Sequence, residues 1–191
     1  MDMTGEYRID APRTAVWTAL NDADILKRCI PGCEELEKTS ETEFSARVVA
    51  KVGPVKAKFS GSVALSNIDA PNGYTISGQG QGGAAGFAKG SADVALAEDG
   101  AATVLTYTVK ATVGGKLAQI GSRLIDGTAR KMADQFFSRF KEALETAGEG
   151  AEAVPVVPEE KRPARGLHPL VWIAGLIALV VVILLIFGRG G

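Results

Sequence analysis

Histidine is almost absent from this chain of 191 residues: there is one, His168, and it stands beside an apolar run near the C-terminus. A Ser-His or Cys-His nucleophilic pair in the rest of the chain is therefore excluded. Ordinary zinc and non-haem iron sites, which lean on imidazole, are excluded with it. Cysteine is nearly as scarce. Two residues, Cys29 and Cys33, cannot build a disulfide framework and point to a reducing compartment. Their CxxxC spacing around Ile30-Pro31-Gly32 is wrong for a redox CxxC, and no second pair completes a metal site, so they read as free thiols beside a turn. Neither sign of charge dominates: 21 Lys and Arg against 22 Asp and Glu leave a net charge of -1, which argues against a nucleic-acid partner. The first residues, MDMTGEYRIDAPRTAVW, carry neither a basic nor an apolar signal-peptide region, so no signal peptide is expected.

Hydrophobic residues make up 46% of the chain and the mean hydropathy is +0.12, but the excess is concentrated at one end. Leu170 to Phe187 reads LVWIAGLIALVVVILLIF, an uncharged run about as long as a bilayer-spanning helix requires. Trp172 and Phe187 suit the two interfaces. The run predicts a C-terminal transmembrane tail anchor over 167–191. Lys161, Arg162 and Arg165 precede it against Arg189 after it, which predicts a single pass with the N-terminal domain in the cytoplasm. Ahead of it, 148–166 is rich in Ala, Glu and Pro. Pro155, Pro158 and Pro163 block a helix there, and a flexible linker is expected.

Residues 1–147 read as one α+β domain. Thr4 to Asp10 is a strand. Asp10 and Pro12 start a short helix with Val16, Trp17 and Leu20 on its apolar side, and Asp22 to Cys29 is a second helix stopped by Pro31-Gly32. The period then becomes two: Val55, Ala57, Phe59, Gly61, Val63 and Leu65 share a face, as do Thr103, Leu105, Tyr107, Val109, Ala111 and Val113. Gly53-Pro54, Pro71-Asn72-Gly73 and Asp99-Gly100 mark turns between antiparallel neighbours. A long helix is expected over 116–147, its stripe running through Leu117, Ile120, Leu124, Thr128, Met132, Phe136 and Phe140. About six antiparallel strands between two short helices and one long one predict a curved sheet gripping the last helix, with a cavity between them.

Gly78-Gln79-Gly80-Gln81-Gly82-Gly83 satisfies GxGxxG, yet it lies between two strands rather than between a strand and a helix. A dinucleotide site needs the helix N-terminus to meet pyrophosphate. Gly115-Lys116 is followed by Leu117, so a P-loop fails too. Glycines in strands mark bends, bulges or the close approach of something bulky. Gly82 to Phe87 is accordingly read both as a bend and as the rim of a cavity mouth.

The order of elements resembles the helix-grip fold of the START and polyketide-cyclase superfamily (START/Bet v 1-like). Val16 to Glu37, Val52 to Leu65, Gly80 to Leu96 and Gly114 to Phe137 are similar to the CoxG proteins of carbon monoxide dehydrogenase. That resemblance implies a non-catalytic accessory of a molybdenum CO dehydrogenase, or of a related molybdenum hydroxylase, at the cytoplasmic face of the bacterial plasma membrane. It further implies binding of a respiratory quinone, menaquinone or ubiquinone, taken from the membrane lipid pool and carried to the enzyme. A pure membrane anchor without ligand and a polyketide-cyclase-like enzyme are the alternatives. The residues expected to line the cavity are Phe59, Val63, Tyr107, Val109, Leu117, Ile120, Leu124 and Phe136, with Phe87 at the rim. Tyr74 and Tyr107 are the candidate donors to a quinone carbonyl. No catalytic or metal-binding residue is expected. Arg123, Arg130, Lys131 and Arg139 form a solvated face of the long helix, or alternatively a docking face for the partner enzyme or anionic head groups.

Overall fold

A computed structural model describes residues 2–149. The expected linker and tail anchor lie outside the described residues. Among the described residues no helix is long and apolar enough to cross a membrane. The chain runs as β1 (Asp2–Ile9), α1 (Arg13–Ala19), α2 (Ala23–Cys29), β2 (Cys33–Lys38), β3 (Glu43–Val52), β4 (Val55–Asp69), β5 (Gly73–Gln81), β6 (Phe87–Asp99), β7 (Ala102–Gly114) and α3 (Ser122–Glu149). Short 3-10 turns at Gly83–Ala85 and Ala118–Ile120 precede β6 and α3.

All strand pairs are antiparallel, in the order β1-β7-β6-β5-β4-β3-β2. Strands β2 to β7 form a meander joined by the turns the sequence marks, and β1 closes onto β7. Because β1 and β2 lie at opposite edges, α1 and α2 must carry the chain across the end of the sheet. Asp22 starts α2 by accepting from the backbone N–H groups of Asp24 and Ile25 at 2.8 and 3.0 Å. Asp10 does not cap α1 as expected; Pro12 occupies that position, and Asp10 pairs with Arg8. Arg13 ties α1 to the sheet, donating to Asn72 Oδ1 at 2.5 Å and meeting Glu98 at 2.9 Å.

The long helix begins six residues later than its period suggests. Gly121 takes φ +92°, a conformation that interrupts a right-handed helix, and the preceding residues form only a 3-10 turn. Leu117 and Ile120 are thereby taken out of the helix. The buried stripe of α3 is Ile125, Ala129, Met132, Ala133, Phe136, Phe137 and Phe140, whereas Leu124 is 54% exposed and Thr128 half-buried. This stripe lies over the concave face of the sheet, in one core with Trp17, Leu20 and Leu26 of the short helices. The backbone of α3 runs close to α2 and, at fewer places, to α1, β1 and β3, so the helix is gripped mainly at its flanks.

Candidate functional site

The register decides which side chains share the concave face. One row across the sheet is Phe44, Val63, Gly78, Gly90 and Ala111; the next is Ala46, Gly61, Gly80, Ala88 and Val113. Apart from Val63, these rows hold nothing beyond hydrogen or methyl through β4, β5 and β6: Gly61, Gly78, Gly80, Ala88 and Gly90. The rows to either side are bulkier, with Val48 and Phe59 toward one end and Leu65, Ile76 and Val109 toward the other. A trough of glycine and alanine thus crosses the centre of the sheet, walled by apolar side chains and facing α3. The GxGxxG stretch supplies part of its floor, and its place in the β5–β6 hairpin contains no βαβ unit.

Phe59, Val63, Tyr74, Tyr107, Val109, Leu117 and Phe136 are all buried in the one core cluster. Leu117 reaches it from the loop before α3, where its N–H donates to the Ala85 carbonyl. Ile120 is half-buried against the same cluster. Two placements differ from expectation. Leu124 points to solvent, because each four-residue step drifts about 40° around an α-helix, which leaves it about 80° from Met132 and about 120° from Phe136 on the same helix. Phe87 falls in register with the outer face, because Ala88 is the core-facing residue of the adjoining pair, and its half-buried ring lies across Gly114.

Polar groups collect at two places beyond the row of Leu65, Ile76 and Val109. Tyr7 on β1 donates its hydroxyl to Asp134 Oδ1 on α3 at 2.6 Å. Its ring stacks on Phe137 at 3.9 Å, with Tyr107 nearly parallel at 6.2 Å. The Tyr107 ring crosses Gly5, where any Cβ would collide with it. Burial above all, then the bond to Asp134, raises the Tyr7 hydroxyl far above the ordinary phenol range; burial raises Tyr107 likewise. Both stay protonated, the Tyr7 proton committed to Asp134. In the second group Trp17 packs edge-on against Tyr74 at 5.2 Å, and Asn21 Nδ2 donates to the Trp17 carbonyl. Trp17 Nε1 and Asn21 Oδ1 are buried without a hydrogen-bond partner among the described residues. Tyr7, Asp134, Trp17 and Asn21 were not singled out as polar groups by the sequence. The alternation of β1 would have placed Tyr7 on the core face, and nothing local would have paired it with Asp134.

Burial lifts both thiols to about 11, the charges of Arg28 and Arg139 near Cys29 and of Lys27 near Cys33 opposing only in part. Among the described residues no three His, Cys, Asp or Glu come together as a metal set. A groove of about 720 Å³ is bordered by Ser45, Ser62, Ser77, Gln79, Lys89 and Thr112 of the outer face and also by Phe44, Val63, Gly78 and Gly90 of the first row. It is open and hydroxyl-rich, a poor match to the apolar walls that a prenyl chain requires. The concave trough remains the candidate site.

The comparisons with known proteins fit this geometry. The CoxG family of carbon monoxide dehydrogenase matches residues 5–145. A search among curated proteins finds no match. Among solved structures, a conserved protein from Geobacillus kaustophilus is 30% identical, with a TM-score of 0.73 over 77% of this chain and 97% of that one. The protein TTHA0849 from Thermus thermophilus is 17% identical, with a TM-score of 0.58 over 77% and 99%. The Zhui aromatase/cyclase of a Streptomyces species is 15% identical, with a TM-score of 0.57 over 81% and 99%. The last two show the shared helix-grip fold alone. From its match over most of the domain, the chain belongs to the CoxG family of carbon monoxide dehydrogenase.

Proposed function

We propose that the chain is a non-catalytic, membrane-tethered accessory of a molybdenum CO dehydrogenase that holds a respiratory quinone between its concave sheet and α3 and presents it to the enzyme. The observation that carries this reading is the trough of Gly61, Gly78, Gly80, Ala88 and Gly90. Side chains there are no larger than a methyl group and the flanking rows are apolar, as a flat ring and a prenyl chain require. Burial of each CH₂ contributes about 0.8 kcal/mol, so one five-carbon prenyl unit supplies roughly 3 to 4 kcal/mol. A protonated phenol at Tyr107, two rows along β7 from Ala111, fits hydrogen bonding to a ring oxygen. When bound, the quinone is the two-electron acceptor. The chain's own residues orient it and exclude water, and the redox centres belong to the partner enzyme. The apolar run 170–187 keeps the domain beside the membrane pool.

The test measures CO-dependent quinone reduction by CO dehydrogenase with quinone supplied in vesicles. The full chain should accelerate it, and Gly78→Val with Gly90→Val, which fills the trough, should not, while still recruiting the enzyme to vesicles. Equal acceleration by both forms would overturn the carrier reading in favour of a ligand-free anchor.

A further inference from the structure

One end of the domain carries its apolar surface and its cationic charge together. At the β3–β4 tip, a Cβ on Gly53 would stand 3.4 Å from Ile120 Cγ2 and 3.9 Å from Leu124 Cδ1. Leu124, at 54%, is the large hydrophobic residue left exposed among those described. Pro54 is exposed beside it, and Val55 and Ile120 are half-buried. The turn at Gly83–Ala85 adjoins through the Leu117 to Ala85 hydrogen bond.

Charge at this end is one-signed. The segments that build it, 44–68, 70–92 and 100–125, contain no Asp or Glu. Lys51, Lys56, Lys116 and Arg123 are exposed around the apolar tip, and none of the four has an ion pair among the described residues. Lys51 and Lys56 stand directly opposite each other on β3 and β4, a pairing that destabilises a hairpin unless an anion answers it. Glu34, on the strand beside β3, is engaged by Lys58 instead.

We infer that this tip, with Leu124 and Ile120 at its apex and Lys51, Lys56, Lys116 and Arg123 around it, docks onto the anionic surface of the same bilayer that holds the chain's apolar run. The inference rests on the tethering part of the proposed function and adds a second, reversible contact. Exposed apolar side chains enter the head-group region while the cations meet lipid phosphates. Chain length permits it. Leu124 and Glu149 are separated along α3 by about 38 Å at 1.5 Å per residue. The twenty residues 150–169 can span at most about 70 Å. The tip also adjoins the loop before α3, so docking sets that end of the trough against the lipid.

The test uses the full chain in vesicles of phosphatidylcholine alone or with phosphatidylglycerol. An environment-sensitive fluorophore is attached at Leu124→Cys, and a parallel sample carries it at Glu145→Cys. Labelling near pH 7 spares Cys29 and Cys33, whose thiols titrate only at about 11. Flotation reports tethering separately. With phosphatidylglycerol, the label at 124 should shift to the blue and be quenched by brominated lipid, and the label at 145 should not. Each cation at such a surface is worth about a five-fold change in binding, so Lys51→Gln with Lys56→Gln should lower the docked-to-undocked ratio about 25-fold. Salt at about 1 M should act in the same direction. A chain that floats while position 124 stays water-like overturns tip docking and leaves tethering intact; a chain that does not float overturns both. Shielding of position 124 by CO dehydrogenase and not by lipid would overturn the inference by assigning the tip to a protein partner.

Discussion

Substituting two adjacent residues of α3 tests whether its buried face is the one described. Ile125 is 3% exposed and packs in the core with Phe136 and Leu117, whereas Leu124 is 54% exposed one residue earlier. Ile125→Ala removes three buried carbons. At about 0.8 kcal/mol each the transfer loss is roughly 2.4 kcal/mol, and the cavity left behind brings the total into the range of about 2 to 4 kcal/mol. Leu124→Ala removes as many carbons from a half-solvated position and installs a better helix former, so its effect should stay within about 0.5 kcal/mol. Urea unfolding of the full chain in detergent micelles, followed by far-ultraviolet circular dichroism, separates these outcomes. With a slope of about 2 kcal/mol per molar, Ile125→Ala should lower the midpoint by roughly 1 to 2 M and Leu124→Ala should hardly move it. Equal losses, or a larger loss at Leu124, would refute the buried face assigned to α3.

Other perturbations probe separate parts of the structure. Gly127 lies in α3 with nothing within 4 Å of an added Cβ, so Gly127→Ala should stabilise the domain by about 0.5 to 1 kcal/mol in the same titration. Tyr7→Phe and Asp134→Ala each break the 2.6 Å bond that joins β1 to α3. Each should cost about 0.5 to 1.5 kcal/mol, and the double variant should cost little more than either alone; additive losses would show that the bond does not couple the two elements. Alkylation of Cys29 should be about 100-fold slower at pH 8 than for an ordinary thiol and rise toward pH 11, because burial raises its pKa by about two units. The same shift means that its contribution to stability is present below the unfolded-state pKa near 9 and is lost as pH rises through about 11.

The architecture was largely legible before any coordinates. The switch from helical to two-residue periodicity, with Gly53-Pro54, Pro71-Asn72-Gly73 and Asp99-Gly100 at the right intervals, is enough to predict an antiparallel meander followed by a helix. Register was legible within one strand but not across strands. Alternation placed Phe59 and Val63 on the core face, yet only pairing reveals that Gly61, Gly78, Gly80 and Gly90 fall in adjoining rows. A stripe carried back from Phe140 in four-residue steps drifts about 40° at each step and leaves the buried face by Leu124, and the positive φ of Gly121 stops the helix without any proline to announce it. Phe87 was misplaced because a residue at a strand end next to a glycine loop has no local pattern to fix its face. The Tyr7–Asp134 bond spans 127 residues of sequence, and no local spacing points to it.

The central claim is that the trough between the sheet and α3 carries a quinone. The direct measurement is organic extraction of the full chain, purified in mild detergent from a quinone-producing host, with mass spectrometry of the extract for prenylated quinones. The Gly78→Val, Gly90→Val variant, purified alongside, accounts for quinone carried over with detergent and lipid. The account predicts near-stoichiometric quinone with the wild-type chain and only background with the filled trough. Equal amounts from the two forms, or a wild-type chain at background that takes up no added quinone, would contradict it.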